Sequence, residues 1–415
     1  MTEQAGSMTD PHEPGQQAAG AKKGSAMETF EAFLKLGFIS FGGPVAHIGY
    51  FHQEFVVKRQ WLNDEAFSDL VALCHFLPGP SSSQLVFALG MRRAGLPGAM
   101  IASLCFTLPS AILMILFGYG VAVLGNLNQA GWLHGLKLAA VAVVAQAVWN
   151  MGRKLCPDRI RLTLCIGVAA AILAHPGSLT QIGMIAVGAI LGWWFYRHEK
   201  AQNRAPSKLH VRAHLIAGSC LVLFLGILLG LPIIAAATHS KTLAVFDSFY
   251  RAGALVFGGG HVALPLLRAE VVPRGWVNDD IFLAGYGAAQ ALPGPLFTFS
   301  AYLGTVMQPG PRAWINGLMC LLAIFLPAWL VLGGTLPFWE SLRKKASMQA
   351  AMRGANAAVV GVLLAALYMP VISQGVKTGS DASAVLAAFC LLEIYKLPTW
   401  SIVLLAAFSG QCLLR

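Results

Sequence analysis

The chain has 415 residues, of which 56% are hydrophobic and only 11% are charged, whereas soluble globular proteins carry about 25% charged residues. Together with a mean hydropathy of +0.65, this composition excludes a soluble enzyme, a coiled coil and a disulfide scaffold, and it indicates an all-α polytopic membrane protein. The 29 lysines and arginines against 18 acidic residues give a net charge of +11, which we expect in loops or along a pore rather than on a nucleic-acid surface.

The chain begins with a polar stretch, 1–28, that has no apolar core, so we expect a disordered cytoplasmic tail rather than a signal peptide. A first repeat follows over 29–196, then a basic linker with one connecting transmembrane helix over 197–240, then a second repeat over 241–415. The apolar segments that define this division lie at 30–50, 66–91, 94–124, 128–150, 160–174, 178–196, 213–236, 242–267, 281–307, 312–338, 346–372, 382–396 and 399–413.

The second half of the chain repeats the first. FEAFLKLGFISFGGP at 30–44 matches FDSFYRAGALVFGGG at 246–260, and Leu-Pro-Gly-Pro occurs at 77–80 and again at 292–295. Glu54 and Glu270 stay in register, and a weaker alignment places Lys137 opposite Arg353. The chain is therefore predicted to contain two copies of one unit of about six segments.

Loop charges predict that the two copies are inverted, because lysine and arginine concentrate on the cytoplasmic side of a membrane. The basic N-terminus and the basic loops at 153–161 and 197–212 are expected inside, and the nearly uncharged loop at 238–241 outside. The C-terminus is then periplasmic. This assignment of sides counts six, one and six membrane crossings, and it requires each Pro-Gly-Pro segment to cross the membrane as one broken helix. A re-entrant arrangement of these segments would weaken it.

Gly/Pro-broken helices at matching positions of inverted repeats are typical of secondary transporters, whose site lies where the breaks meet. A helix is expected to restart at Pro80 and at Pro295, with the free N–H groups of its first turn forming an anion site. In the first repeat hydroxyl and amide donors follow the break, at Ser81, Ser82, Ser83 and Gln84. The second repeat has Leu296 and Phe297 there, so the first repeat should dominate binding. Two simple proline kinks are the alternative.

Several charged residues lie inside or beside apolar segments. Lys35 and Arg251 share one repeat position, and each either snorkels to the interface or attracts the substrate. Lys137 lies deeper and should face a cavity or an anion, with Arg353 as its counterpart. Glu54 and Glu270 are salt-bridge partners or proton carriers. His75, like His47 and His261, flanks a break and could titrate, but a structural histidine is the competing interpretation.

With paired Phe-Gly-Gly and Leu-Pro-Gly-Pro segments, the chain resembles the two-domain chromate ion transporters of bacteria from Phe30 onward. The resemblance implies export of chromate across the inner membrane, chromate resistance, coupling to the proton-motive force, and sulfate as a related oxyanion. It suggests substrate contacts at the motif residues Gly42, Gly43, Pro44, Pro78, Gly79, Pro80, Gly258, Gly259, Pro293, Gly294 and Pro295. One departure is Gly260-His261, where the first repeat has Pro44-Val45.

These observations favour a secondary transporter for an anionic oxyanion over a membrane enzyme, because the sequence contains no HExxH, GxSxG or P-loop motif. An uptake or exchange carrier for sulfate is the nearest alternative. We expect no cofactor and no metal. The expected partners are chromate, sulfate, protons as coupling ion and the lipid bilayer, without nucleic acid, and a homodimer is one candidate assembly.

Overall fold

The computed structural model describes residues 25–124, 131–197, 214–256, 260–338 and 345–413. Most of the predicted tail and basic linker lies outside these residues, as do Gly258 and Gly259. The described residues form helices without any strand, which confirms the all-α class.

Eight helices cover the described part of the first repeat and the connecting segment. They are α1 (Ala26–Ile39), α2 (Gly43–His52, extended by Gln53–Lys58), α3 (Asp64–Phe76), α4 (Ser81–Leu124), α5 (Gly131–Leu155), α6 (Arg159–Ala174), α7 (Ser178–Tyr196) and α8 (His214–Thr238).

Eight more follow in the second repeat in a corresponding order. They are α9 (Lys241–Ala254), α10 (Ala263–Val271), α11 (Asp279–Gln290), α12 (Phe299–Met307), α13 (Ala313–Thr335), α14 (Ala346–Ala366, extended to Gly375), α15 (Gly379–Glu393) and α16 (Thr399–Leu413). The predicted apolar segments thus appear as one helix or as a pair of shorter ones, except that α4 contains both the end of segment 66–91 and the whole of segment 94–124.

Local sequence explains several helix boundaries. Asn63 and Asn278 occupy the same repeat position and cap α3 and α11, each accepting a hydrogen bond from a backbone N–H three residues later.

Within α4 the helical geometry fails at Ala94 and Gly95, where Gly95 has a φ of +65°. Gly90 then lies so close to Gly98 that a side chain at position 90 would collide with the carbonyl of residue 98. The chain therefore reverses here and packs back on itself.

Helices of one repeat pack on helices of the other. The long helix α5 lies against α15 and α16, and its counterpart α14 lies against α6 and α7. Small residues allow the close approach, since Gly188 and Gly192 of α7 contact the backbone of α14 at Gly354. This exchange of partners is what a two-fold relation between the repeats requires, and it joins them into one body.

The described residues include six stretches long and apolar enough to cross a membrane by length and composition. They are Ser81–Val123, Gly131–Leu155, Leu179–Tyr196, Ile216–Thr238, Ala313–Thr335 and Ala346–Gly375. The connecting helix α8 is the most apolar of them and the least covered by protein, so its sides are suited to lipid.

The two repeats differ in how tightly their broken helices are held. In the second repeat α11 is buried along most of its length and packs on α5, α12 and α4. In the first repeat α3 contacts mainly α4 and α2, and fewer of its side chains are buried. The relation between the repeats is therefore approximate.

Candidate functional site

The first break separates α1 from α2 at Ser40-Phe41-Gly42-Gly43. Gly42 and Gly43 have φ values of +94° and +76°, a region that favours glycine. In the second repeat α9 ends at Ala254, and residues 257–259 lie outside the described part. The chain then forms a short 3-10 turn at Gly260–Val262 before α10 begins. After this break the helix of the second repeat therefore begins differently from that of the first repeat, at the position where the two repeat sequences differ (Pro44-Val45 against Gly260-His261).

Each repeat also has a Pro-Gly-Pro break, which follows α3 in the first repeat and α11 in the second. Gly79 and Gly294 have φ values of +118° and +90°. Helix α4 restarts at Ser81, directly after Pro80, and a 3-10 turn begins at Leu296, directly after Pro295. Both restarts agree with the sequence-based prediction, and the proline in each case precedes a helical turn whose first N–H groups have no partner within the helix.

Backbone hydrogen bonds join the two types of break across the repeats. The N–H of Gly79 donates to the carbonyl of Val256 at 2.7 Å, and the N–H of Gly294 donates to the carbonyl of Ser40 at 2.8 Å. Gly79 corresponds to Gly294 in the repeat, and Ser40 corresponds to Val256. The two bonds are therefore equivalent, and they bring the breaks of both repeats together at one place in the molecule.

Neither Pro-Gly-Pro glycine has room for a side chain. A Cβ at Gly79 would lie 3.0 Å from the Cβ of Ala328, and a Cβ at Gly294 would lie 2.8 Å from the Oγ of Ser110. Ser110 and Ala328 each follow a proline, Pro109 in α4 and Pro327 in α13. Each Pro-Gly-Pro break thus packs tightly against a proline-containing helix of the opposite repeat.

Polar side chains without partners lie at the start of α4. Ser81, Ser82, Ser83 and Gln84 are all buried. The Oγ atoms of Ser81 and Ser83 and the Oε1 of Gln84 have no hydrogen-bond partner in the structure, although the Nε2 of Gln84 donates to the carbonyl of Pro78 at 2.7 Å. Buried polar groups are nearly always paired, so these atoms are suited to a ligand.

The corresponding turn of the second repeat, at residues 296–300, has its hydroxyls already bonded. The hydroxyl of Thr298 donates to the carbonyl of Pro295 at 2.9 Å, and that of Ser300 donates to the carbonyl of Phe297 at 2.7 Å. Both hydroxyls are satisfied by their own helix start, so of these two helix starts only that of α4 has unpartnered hydroxyls.

The structure also brings two polar residues to the breaks: Ser40, which the sequence did not single out, and His47, which it did. The Oγ of Ser40 is buried without a partner, and its carbonyl accepts from the Nε2 of His47 at 3.1 Å as well as from Gly294. The Nδ1 of His47 is likewise unpartnered. Serine in an apolar helix carries no sequence signal for this role, because only the fold places Ser40 beside the other repeat.

A second polar group lies at the break of the other repeat. The Nδ1 of His261 is 2.7 Å from the hydroxyl of Tyr286. One turn further along α11, Gln290 has a buried Nε2 without a partner. Gln290 holds the repeat position of His75, which lies in the last turn of α3, so the two breaks carry different polar side chains.

Lys35 and Arg251 are both paired with acidic residues in equivalent arrangements. Lys35 is 3.4 Å from Glu54, and Arg251 is 3.3 Å from Glu270 and 2.7 Å from Asp247. Further cations reach the same two glutamates, Arg59 in the first repeat and Arg274 in the second. The register that the sequence predicted for these charges therefore corresponds to a repeated ion-pair cluster.

The cluster bears on the role of Glu54. Burial by itself raises the pKa of this carboxyl, but the hydrogen bond from Arg59 and the charge of Lys35 outweigh burial and hold its pKa below the ordinary value. A carboxylate held in this way stays ionised at neutral pH. Of the two roles considered for Glu54, the salt-bridge partner fits this geometry better than the proton carrier.

Lys137 and Arg353, the other two cations predicted to contact the substrate, lie outside this ion-pair cluster. The Nζ of Lys137 on α5 is 2.6 Å from the Oδ1 of Asp280 on α11, so the anion that this lysine requires is supplied from the other repeat. Arg353 on α14 lies over the ring of Tyr196, 5.8 Å from its centroid. The described residues contain no group of three or more His, Cys, Asp or Glu side chains suited to a metal ion.

Comparison with known proteins agrees with the repeat. A family model described as "Chromate transporter" matches residues 27–193 and again residues 243–411. The chain is 29% identical to the chromate transport protein of Pseudomonas aeruginosa over 81% of this chain and 79% of that protein. It is 27% identical to the chromate transport protein of Cupriavidus metallidurans over 97% and 98% of the two chains. No solved structure matches significantly.

Proposed function

Since the chain belongs to the chromate transporter family, we propose that it is a secondary active transporter that exports chromate across the bacterial inner membrane, driven by the proton-motive force, and so confers chromate resistance. The relatives named chromate transport proteins support the substrate. Loop charges support an N-terminus in the cytoplasm.

One observation carries the proposed site: the reciprocal hydrogen bonds of Gly79 with Val256 and of Gly294 with Ser40. They bring the breaks together beside the unpartnered hydroxyls of Ser81 and Ser83. A tetrahedral dianion that leaves water needs several converging donors. The start of α4 offers hydroxyls, backbone N–H groups and the positive end of a helix dipole.

Within this proposal the motif residues shape the site rather than all contacting the anion. Gly42, Gly43, Pro78 and Pro80 interrupt the helices, and Pro293 and Pro295 do the same in the second repeat. Lys35, Lys137, Arg251 and Arg353 are the cations proposed to engage the dianion, the first three by exchanging their present carboxylate partners for it. Protons are the proposed coupling ion, for which the histidines beside the breaks are the titratable candidates.

Flux in everted membrane vesicles tests the proposal. Export corresponds to entry of radiolabelled chromate into the vesicle lumen, and we expect an acidic lumen to accelerate it and a protonophore to remove the acceleration. Vesicles that carry the Ser81→Ala, Ser83→Ala double variant should lose most of this flux, and Thr298→Ala vesicles should keep it. A chromate flux that does not change with the pH gradient would contradict proton coupling. A sulfate flux faster than the chromate flux would favour the alternative of a sulfate carrier.

A further inference from the structure

A groove outside the proposed transport site lies between α6 and α7, near the N-terminal end of α6 and the C-terminal end of α7. Its volume is about 330 Å³, within the range of about 300–1,000 Å³ typical of sites for small molecules. The apolar part of its lining comes from both helices, at Ile160, Leu164, Leu191 and Phe195, with Tyr196 beside them. Such a lining suits a hydrocarbon chain.

Arginines surround the polar end of the groove. Arg159 and Arg161 belong to the lining, and Arg159 is exposed. The guanidinium groups of Arg161 and Arg353 both lie over the ring of Tyr196, at 5.6 and 5.8 Å from its centroid. Among the described residues at this rim, the acidic one is Asp158, which pairs with Arg161 and accepts from the hydroxyl of Tyr196 at 2.7 Å. The rim is therefore net positive.

The neighbouring side chains place this end of the groove at a membrane interface. Trp193 and Trp194 lie in the last turn of α7, and Arg197 lies over both rings, at 5.1 and 5.4 Å. Aromatic and basic residues in this combination mark the level of lipid headgroups. The adjoining basic loops predict the cytoplasmic side, whose leaflet carries anionic lipids.

We propose that this groove binds one anionic phospholipid, with an acyl chain along the apolar lining and the phosphate between Arg159 and the arginines over Tyr196. A zwitterionic lipid could supply the chain but adds a cation to a rim that is already positive. A soluble phosphate ester could supply the charge but leaves the apolar lining bare. Charge complementarity and shape therefore favour a single class of occupant, independently of which anion the protein transports.

The groove adjoins the contact that joins the two repeats. Gly192, part of the lining, packs on Gly354 of α14, and Arg353 belongs to the same helix. A bound lipid would therefore touch α6 and α7 of the first repeat and α14 of the second at once, and we expect it to stabilise the contact between them.

Native mass spectrometry of the purified protein in detergent tests this, with phosphatidylglycerol, phosphatidylcholine and glycerol phosphate as probes. The wild type should retain one phosphatidylglycerol in preference to phosphatidylcholine. Arg159→Gln should weaken its binding at least about fivefold by removing charge, and Thr163→Trp should do so by filling the groove without changing charge. Arg312→Gln, which removes an exposed arginine at the start of α13, is the matched control and should bind as the wild type does.

Thermal unfolding of each variant without added lipid confirms that it is folded. If Thr163→Trp does not fold, Arg159→Gln alone decides. Equal binding of phosphatidylcholine, unchanged binding by Arg159→Gln, or displacement of the lipid by glycerol phosphate at similar concentration would each overturn the proposal.

Discussion

At the scale of single residues, the start of α4 differs from its counterpart in the second repeat by the state of its hydroxyls. Those of Ser81 and Ser83 have no partner, whereas those of Thr298 and Ser300 are bonded to nearby carbonyls. A hydroxyl already bonded to its own backbone has less to offer a ligand. We therefore expect the two repeats to contribute unequally to an anion site that the backbone makes almost symmetric.

Alanine at Ser81 and Ser83 should weaken the apparent affinity for chromate by about 1–3 kcal/mol for each lost bond to the charged ligand. Thr298→Ala is the control and should change affinity little, because its hydroxyl bonds to Pro295. Transport measured at graded chromate concentrations gives the affinities. Equal losses on both sides would indicate a symmetric site, and no loss would make the breaks structural hinges.

Gly294→Ala should destabilise the protein and stop transport. Its φ of +90° strains an alanine backbone by about 1–3 kcal/mol, and the added Cβ would meet the Oγ of Ser110 at 2.8 Å. Gly167→Ala on α6, where nothing lies within 4 Å, is the control and should leave both properties intact. Thermal unfolding in detergent and vesicle flux measure the two effects. A Gly294→Ala protein with the wild-type melting temperature and flux would show that the tight contact with Ser110 is dispensable.

At the scale of helices, the sequence predicted the breaks well and their partners poorly. The restarts after Pro80 and Pro295 and the caps at Asn63 and Asn278 follow from local chemistry, which proline and asparagine carry in their own side chains. The bond from Gly79 to Val256 joins residues far apart in the chain and leaves no local pattern. The partner of Lys137, Asp280, was unpredictable for the same reason, whereas Glu54 was already a candidate salt-bridge partner from its register in the repeat.

The contact of α5 with α11 provides a test of Lys137. Its carboxylate partner Asp280 is 44% exposed, so loss of the pair should cost no more than about 1 kcal/mol of stability. We expect Lys137→Ala to remain abundant in the membrane and to lose transport, because a positive charge near the path of a dianion is gone.

Exchanging the two charges, in the double variant Lys137→Asp and Asp280→Lys, separates the two roles of this lysine. The exchange keeps an ion pair between α5 and α11 but moves the cation, so transport should stay low. Full recovery of flux by the exchange would show that Lys137 only holds the two helices together. Abundance on membrane immunoblots controls for folding in both experiments.

At the scale of the whole molecule, the loop charges make a definite prediction about sidedness. Tags at the N-terminus and at residue 205 should be accessible only from the cytoplasm, and a tag near Ser240 only from the periplasm. Labelling with a membrane-impermeant reagent in intact and permeabilised cells measures this. A cytoplasmic tag at Ser240 would contradict the inverted orientation of the repeats.

The unequal packing of α3 and α11 has a consequence for turnover. If the two repeats traded conformations, α3 would close on α14 as α11 now closes on α5, and sequence position 65, which corresponds to Asp280, would approach position 353, which corresponds to Lys137. The result would be a second state that faces the other side of the membrane, as alternating access requires. Cysteine pairs at 137/280 and at 65/353 should each be joined by a short bifunctional thiol reagent, and the two cross-links should arrest the cycle in opposite states. If the 65/353 pair never cross-links during turnover, the repeats do not trade places.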